Sequence, residues 1–146
     1  MSTGKTNPVQ AILPYQNFDG QCEAAFKFYE QHLGGKIEAM IPFGDSPMAD
    51  RVPAERRNQI LHASLVLGDG AKVLGSDAQP EYFEKPQGFY ATLNVSDAAA
   101  AECIFNALAD KGAVRMPLQE TFWAARFGML VDQFGIPWMI NCEKAA

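Results

Sequence analysis

Two residues are the strongest candidates for chemistry: His62 in the run LHASLVLG and Arg126 in the run TFWAARFG. An imidazole in mid-strand can serve as a general base or as a hydrogen-bond donor. A guanidinium flanked by aromatic side chains can grip a carboxylate or phosphate with two parallel bonds. Each also has a purely structural reading, His62 as a satisfied strand histidine and Arg126 as a partner of Asp132 or Glu120. His32, the second histidine, falls at the end of a helical stretch, where the helix dipole accounts for it. Cys22, Cys103 and Cys142 are far apart, form no CxxC pair, and read as small core residues. The chain has no GxSxG elbow, Walker loop, GxGxxG run or HExxH helix.

The elements that must position these residues follow from periodicity. Residues 11–18 read as a strand, and residues 21–33 as a helix with Cys22, Ala25, Phe26, Tyr29 and Leu33 on one stripe. Gly34 and Gly35 stop that helix, and 36–43 is a second strand. Residues 44–60 carry prolines and charges without a period, which fits a lid, a binding loop or a solvated insertion. A hairpin over 61–67 and 72–75 turns at Gly68-Asp69-Gly70, and a polar linker covers 76–87. Asp77 in that linker is placed to cap, to turn or to line a pocket mouth. The pattern then restarts: a strand over 89–95, a helix over 97–111 capped by Ser96, and strands over 113–118, 124–131 and 137–142. Residues 1–9 read as a frayed start.

One constant offset carries Phe18 onto Val95, Phe28 onto Phe105 and Gly35 onto Gly112. Both halves therefore read as a βαβββ unit, which predicts an α+β fold of two tandem modules over about 11–76 and 88–143 in a single domain. A lone unit of this size has a weak core, a reason for fusing two. A pair of unrelated α+β modules is the competing reading.

Strand alternation exposes a mixed face on each module. His62 and Ser64 oppose Leu61, Ala63 and Leu65; Tyr90, Thr92 and Asn94 oppose Phe89, Ala91 and Leu93; Met139 and Asn141 oppose Trp138, Ile140 and Cys142. Arg126 shares a side with Asp132, opposite Phe127, Met129 and Val131. A merely solvated face favours Lys, Glu and Thr, so a curved sheet carrying these residues predicts a concave pocket for a small, partly polar molecule. His62, Ser64, Tyr90, Asn94, Trp123, Arg126, Met139 and Asn141 are its expected ligand-binding residues. A wet sheet face or a dimer surface is the plainer alternative.

Composition narrows the partners. With 12 Lys+Arg against 17 Asp+Glu and a formal net charge of -5, the chain lacks a nucleic-acid footprint. No run is long and apolar enough to span or target a membrane, and the odd cysteine count fits a reducing compartment, so a cytoplasmic protein is expected.

The stretches Pro14–Gly35, Leu61–Gly68 and above all Met116–Glu143 (MPLQETFWAARFGMLVDQFGIPWMINCE) resemble the PhnB-like branch of the vicinal oxygen chelate, or glyoxalase/bleomycin-resistance, superfamily. That resemblance implies two βαβββ modules with curved mixed sheets, assembled as a homodimer. It also implies either a metal-dependent isomerase, lyase or dioxygenase or a metal-free binding protein. Its metal-ligand positions fall at Leu13 or Pro14, at Leu74 to Ser76, at Phe89 or Tyr90, and at Trp138 or Met139. None is His, Asp or Glu, and a hard divalent ion needs such donors, so no metal and no cofactor is expected. A displaced centre built from His62 with Asp77 or Glu120 is the exception to test.

Three functions remain in play. The first is a small-molecule binding protein, with 44–60 covering the mouth. The second is an enzyme with His62 as acid/base and Arg126 as electrostatic clamp, which requires both in one cavity. The third is a structural homodimer without a ligand.

Overall fold

The computed structural model describes residues 7–145, so the expected frayed start lies partly outside the described residues. Among them the chain runs β1 (Tyr15–Phe18), α1 (Cys22–Leu33), β2 (Lys36–Pro42), β3 (Ile60–Val66), β4 (Lys72–Asp77), β5 (Ala91–Asn94), α2 (Ala98–Ala109), β6 (Ala113–Gln119), β7 (Ala124–Val131) and β8 (Pro137–Glu143). The strands form two four-stranded mixed sheets, ordered β1-β4-β3-β2 and β5-β8-β7-β6. In each, the first strand runs parallel to the fourth and the other pairs are antiparallel. This is the α+β arrangement of two βαβββ units that the internal repeat predicts.

Both helices pack on the inner sides of the sheets. One apolar cluster joins Phe18, Phe26, Tyr29 and Leu65 from the first unit to Phe105, Leu130, Trp138 and Ile140 from the second. Each sheet thus gives one face to a shared core and leaves the other uncovered.

The first strand of each unit is shorter than expected. β1 is ladder-paired only from Tyr15, opposite Leu74, and residues 7–14 before it form no regular element. α2 is capped by Asp97, whose Oδ2 accepts from the Ala100 N–H at 3.0 Å; Ser96 sits one residue outside. α1 ends at Gly34 in the left-handed region (φ 77°), which suits glycine. Its N-terminus is capped from a distance: Asp77 Oδ1 accepts from Cys22 N–H at 3.0 Å, and Oδ2 from Ile60 N–H at 2.8 Å. Asp77 is thus a buried clamp between β4, α1 and β3 and does not line a pocket mouth.

The segment 43–59 folds into three short 3₁₀ turns. Arg56 pins it: Nε donates to Gln59 at 2.8 Å, Nη2 to the Ala78 carbonyl at 3.2 Å, and the guanidinium lies 5.4 Å from the Phe43 ring centroid. The segment is docked against the exit of β4, where it is a fixed wall.

Asp132, in the turn between β7 and β8, is the most heavily bonded buried group. It accepts from the Tyr29 hydroxyl, from Trp138 Nε1 at 2.8 Å, and from the backbone N–H of Phe134 at 2.9 Å and Ile136 at 3.0 Å. Burial and the Asp132 carboxylate hold the Tyr29 phenol well above its ordinary pKa, so it stays a donor. Asn at this position would turn an N–H₂ toward donors. Asp132→Asn is therefore expected to cost about 3 kcal/mol in urea unfolding, and Tyr29→Phe about 1 kcal/mol. Equal losses in the two variants would contradict this account.

Candidate functional site

The uncovered face of the first sheet carries Tyr15, Asn17, His62, Ser64, Lys72, Leu74 and Ser76 by strand parity. His62 Nδ1 lies 3.2 Å from the Tyr15 hydroxyl, with the two rings 5.9 Å apart. Ser64 donates to Glu38 Oε1 at 3.1 Å, and Lys72 Nζ reaches the same oxygen at 3.1 Å. The hydrogen bonds from Lys72 and Ser64, and then the Lys72 charge, hold the Glu38 carboxyl below its ordinary range. Its charge is thereby committed within the sheet.

The uncovered face of the second sheet carries Tyr90, Thr92 and Asn94, with Met139 and Asn141 beside them and Met129 next in register. Asn141 Nδ2 donates to Asn94 Oδ1 at 3.1 Å, while Asn141 Oδ1 is buried with no partner among the described residues. Asn17 and Ser76 occupy the matching place in the first sheet, 3.3 Å apart. Trp123 stacks edge-on against Phe127 with centroids 5.5 Å apart, and Phe122 against Trp123 at 4.9 Å.

Arg126 lies on the other side of this sheet. It pairs across the ladder with Cys142, whose side chain enters the core, and its Nε sits 3.4 Å from Glu102 Oε1 on α2. The expectation that it shares a hollow with His62, Tyr90 and Asn141 is corrected. The helix side of β7 is formed by Arg126, Gly128 and Leu130; a Cβ on Gly128 would stand 2.7 Å from the Phe105 ring. Phe127 and Met129 fall on the uncovered side, opposite what their hydrophobicity suggests. His62 is on the first sheet, so the clamp and the imidazole do not meet in one cavity as the enzyme reading requires.

Sequence reasoning missed Arg115. An irregularity between Val114 and Met116 leaves it out of the ladder, and its Nη1 reaches the Tyr90 hydroxyl at 3.4 Å. β5 and β6 are opposite edges of the sheet, so this contact closes one end of the uncovered face.

Between the starts of β1 and β5 lies a cavity of about 770 Å³. Gln16, Ala91, Ile136 and Pro137 form its inner part; Tyr15, Asn17, Phe89 and Tyr90 line it, with residues 84–87 alongside. Tyr90 belongs both to this cavity and to the uncovered face. Of the residues expected to bind a ligand, only Tyr90 lines the cavity; His62 is its neighbour through Tyr15. The segment 44–60 does not line it.

The donors do not fit a divalent ion. Of the positions where the resemblance puts metal ligands, Leu74 stands opposite Tyr15 and Met139 opposite Thr92 in the ladders, and neither is a hard donor. The uncovered faces offer one imidazole, amides, hydroxyls and the committed Glu38. Among the described residues no three His, Cys, Asp or Glu side chains gather. Asp77 is buried in its own hydrogen bonds, and Glu120 stands 3.6 Å from Lys144, so neither joins His62. Cys22 is no nucleophile either: burial first, then Asp77 and Glu23, push its thiol well up.

The chain belongs to the Glyoxalase/Bleomycin resistance protein/Dioxygenase superfamily, whose family model matches residues 11–140. Among particular relatives, Protein YjdN of Escherichia coli (strain K12) is 34% identical over 141 residues, spanning 91% of this chain and 95% of that protein. The crystal structure of protein PA1353 from Pseudomonas aeruginosa is 50% identical with a TM-score of 0.84, covering 94% of this chain and 100% of that one. A PhnB protein from Bacillus cereus shares the fold, with a TM-score of 0.75 at 22% identity over 91% of this chain and 99% of that one.

Titration of metal-stripped protein with Ni²⁺ or Mn²⁺ is expected to give no saturable one-to-one heat. A stoichiometric ion held by residues of the uncovered faces would overturn the donor argument.

Proposed function

We propose that this chain is a small-molecule binding protein that holds its ligand without a metal, in the seam cavity and the adjoining face of the second sheet. The observation that carries this reading is the 770 Å³ cavity lined by Tyr15, Phe89 and Tyr90. Its volume suits a small organic ligand, and apolar walls with a few polar groups are what such sites require. Asn141 and Asn94 offer polar anchors further along the face. Membership in a superfamily that includes bleomycin-resistance proteins supports the same reading. The two modules, about 11–76 and 88–143, act as one domain, because the cavity exists only at their seam.

Fluorinated aromatic fragments, screened by ¹⁹F NMR against the full chain, are expected to bind and to shift the amide resonances of Phe89 and Tyr90. Tyr90→Ala should weaken the binders about tenfold, the scale of one buried aromatic contact. Fragments that bind only elsewhere, or not at all, would defeat the reading.

The ligand-free dimer reading gains one observation. Phe122 is 87% and Trp123 50% exposed at the β6–β7 connection, and the outer faces of both sheets are bare. We read the Phe122–Trp123 rim and the outer face of the first sheet as the contact with a second copy of the chain, which leaves the face of the second sheet open to ligand. Light scattering is expected to give twice the chain mass of 16.0 kDa, and Trp123→Asp to give the single mass. A wild-type monomer at micromolar concentration would rule the contact out.

A further inference from the structure

We propose that Tyr90 and Arg115 form the anion-recognising end of this site, so that its ligand is a flat, largely apolar molecule bearing one carboxylate. The inference rests on the binding reading above and names the ligand class.

Arg115 has no carboxylate partner among the described residues: the recorded ion pairs are Lys27–Glu23, Lys72–Glu38, Arg126–Glu102 and Lys144–Glu120. Its contact is the Tyr90 hydroxyl at 3.4 Å. A guanidinium has five N–H donors and no acceptor, so Tyr90 oxygen accepts there and its own proton is left to donate. Two kinds of donor, one charged, therefore meet at one spot with no acceptor between them. That is the chemistry of carboxylate recognition. Arg115 stands on the adjoining face, outside the cavity lining, and meets the cavity through Tyr90; Lys85 in the lining adds positive charge, while the adjacent Glu84 opposes it. Leu13, Pro86, Phe89, Ala91 and Ile136 give the cavity apolar or aromatic walls, interrupted by the amides of Asn17 and Gln87.

A second, independent observation points to an occupant. Gln16 also lines the cavity, is 6% exposed, and has neither Nε2 nor Oε1 bonded among the described residues. A buried carboxamide without partners is unfavourable. A molecule entering from the cavity supplies what it lacks.

The probes are naphthalene-2-carboxylate and naphthalene-2-carboxamide, titrated into the full chain and followed by calorimetry and by the Phe89 and Tyr90 amide resonances. The carboxylate is expected to bind about tenfold tighter than the carboxamide, the scale of one partly exposed charge-assisted pair. Arg115→Gln should erase that preference, while the control Lys27→Gln, which alters charge on α1, keeps it. Added salt should narrow the gap. Equal affinity for both probes, or a preference that survives Arg115→Gln, overturns the anion inference and leaves the binding reading standing. Failure of both probes to shift those resonances overturns the binding reading itself.

Discussion

The carboxylate of Asp132 is the constraint on which the arrangement depends. A buried charge is tolerated only where donors surround it. Here two backbone N–H groups close the β7–β8 turn, the indole of Trp138 fixes β8, and the Tyr29 hydroxyl arrives from the helix of the other module. The apolar cluster between the modules supplies most of the cohesion, but hydrophobic contact has little directionality. The Tyr29–Asp132 bond gives the two halves a defined mutual placement. The seam cavity lies where the halves meet, and it inherits its shape from that placement.

Much of the fold was legible because apolar periodicity is a direct consequence of one-sided burial. The stripe Cys22, Ala25, Phe26, Tyr29 is the buried face of α1, and His62, Tyr90 and Asn141 do lie on uncovered sides. Arg126 was misjudged for a physical reason. Alternation divides a strand into two faces but does not say which one takes the helix when both carry apolar residues. On β7 the bulky Phe127 and Met129 look like core. The helix side instead has Gly128, where the Phe105 ring needs room. Arg115 was hidden differently, because an extra residue in β6 breaks the register on which parity arguments rest. Capping was one of three readings open for Asp77, whose partner Cys22 lies 55 positions away in the chain, and Asp97 was passed over for the plausible serine one residue before it.

The two outer faces are built on one plan and filled differently. The matched pairs Asn17–Ser76 and Asn94–Asn141 occupy equivalent places in the two ladders. On the first sheet, polar groups are spent on one another: His62 on Tyr15, and Ser64 and Lys72 on Glu38. On the second, an amide oxygen and an arginine keep unspent capacity beside methionine and phenylalanine. That difference is why the proposed ligand site is assigned to the second sheet.

The docking of Arg56 onto Phe43 and the Ala78 carbonyl carries a consequence for how the halves have diverged. The insert that Arg56 fastens has no counterpart after β6, where the connection to β7 is short and ends in bare aromatics. One repeat therefore carries its own buttress while its twin keeps a free rim. Such division of labour lets mutation explore the rim without loosening the frame that supports it.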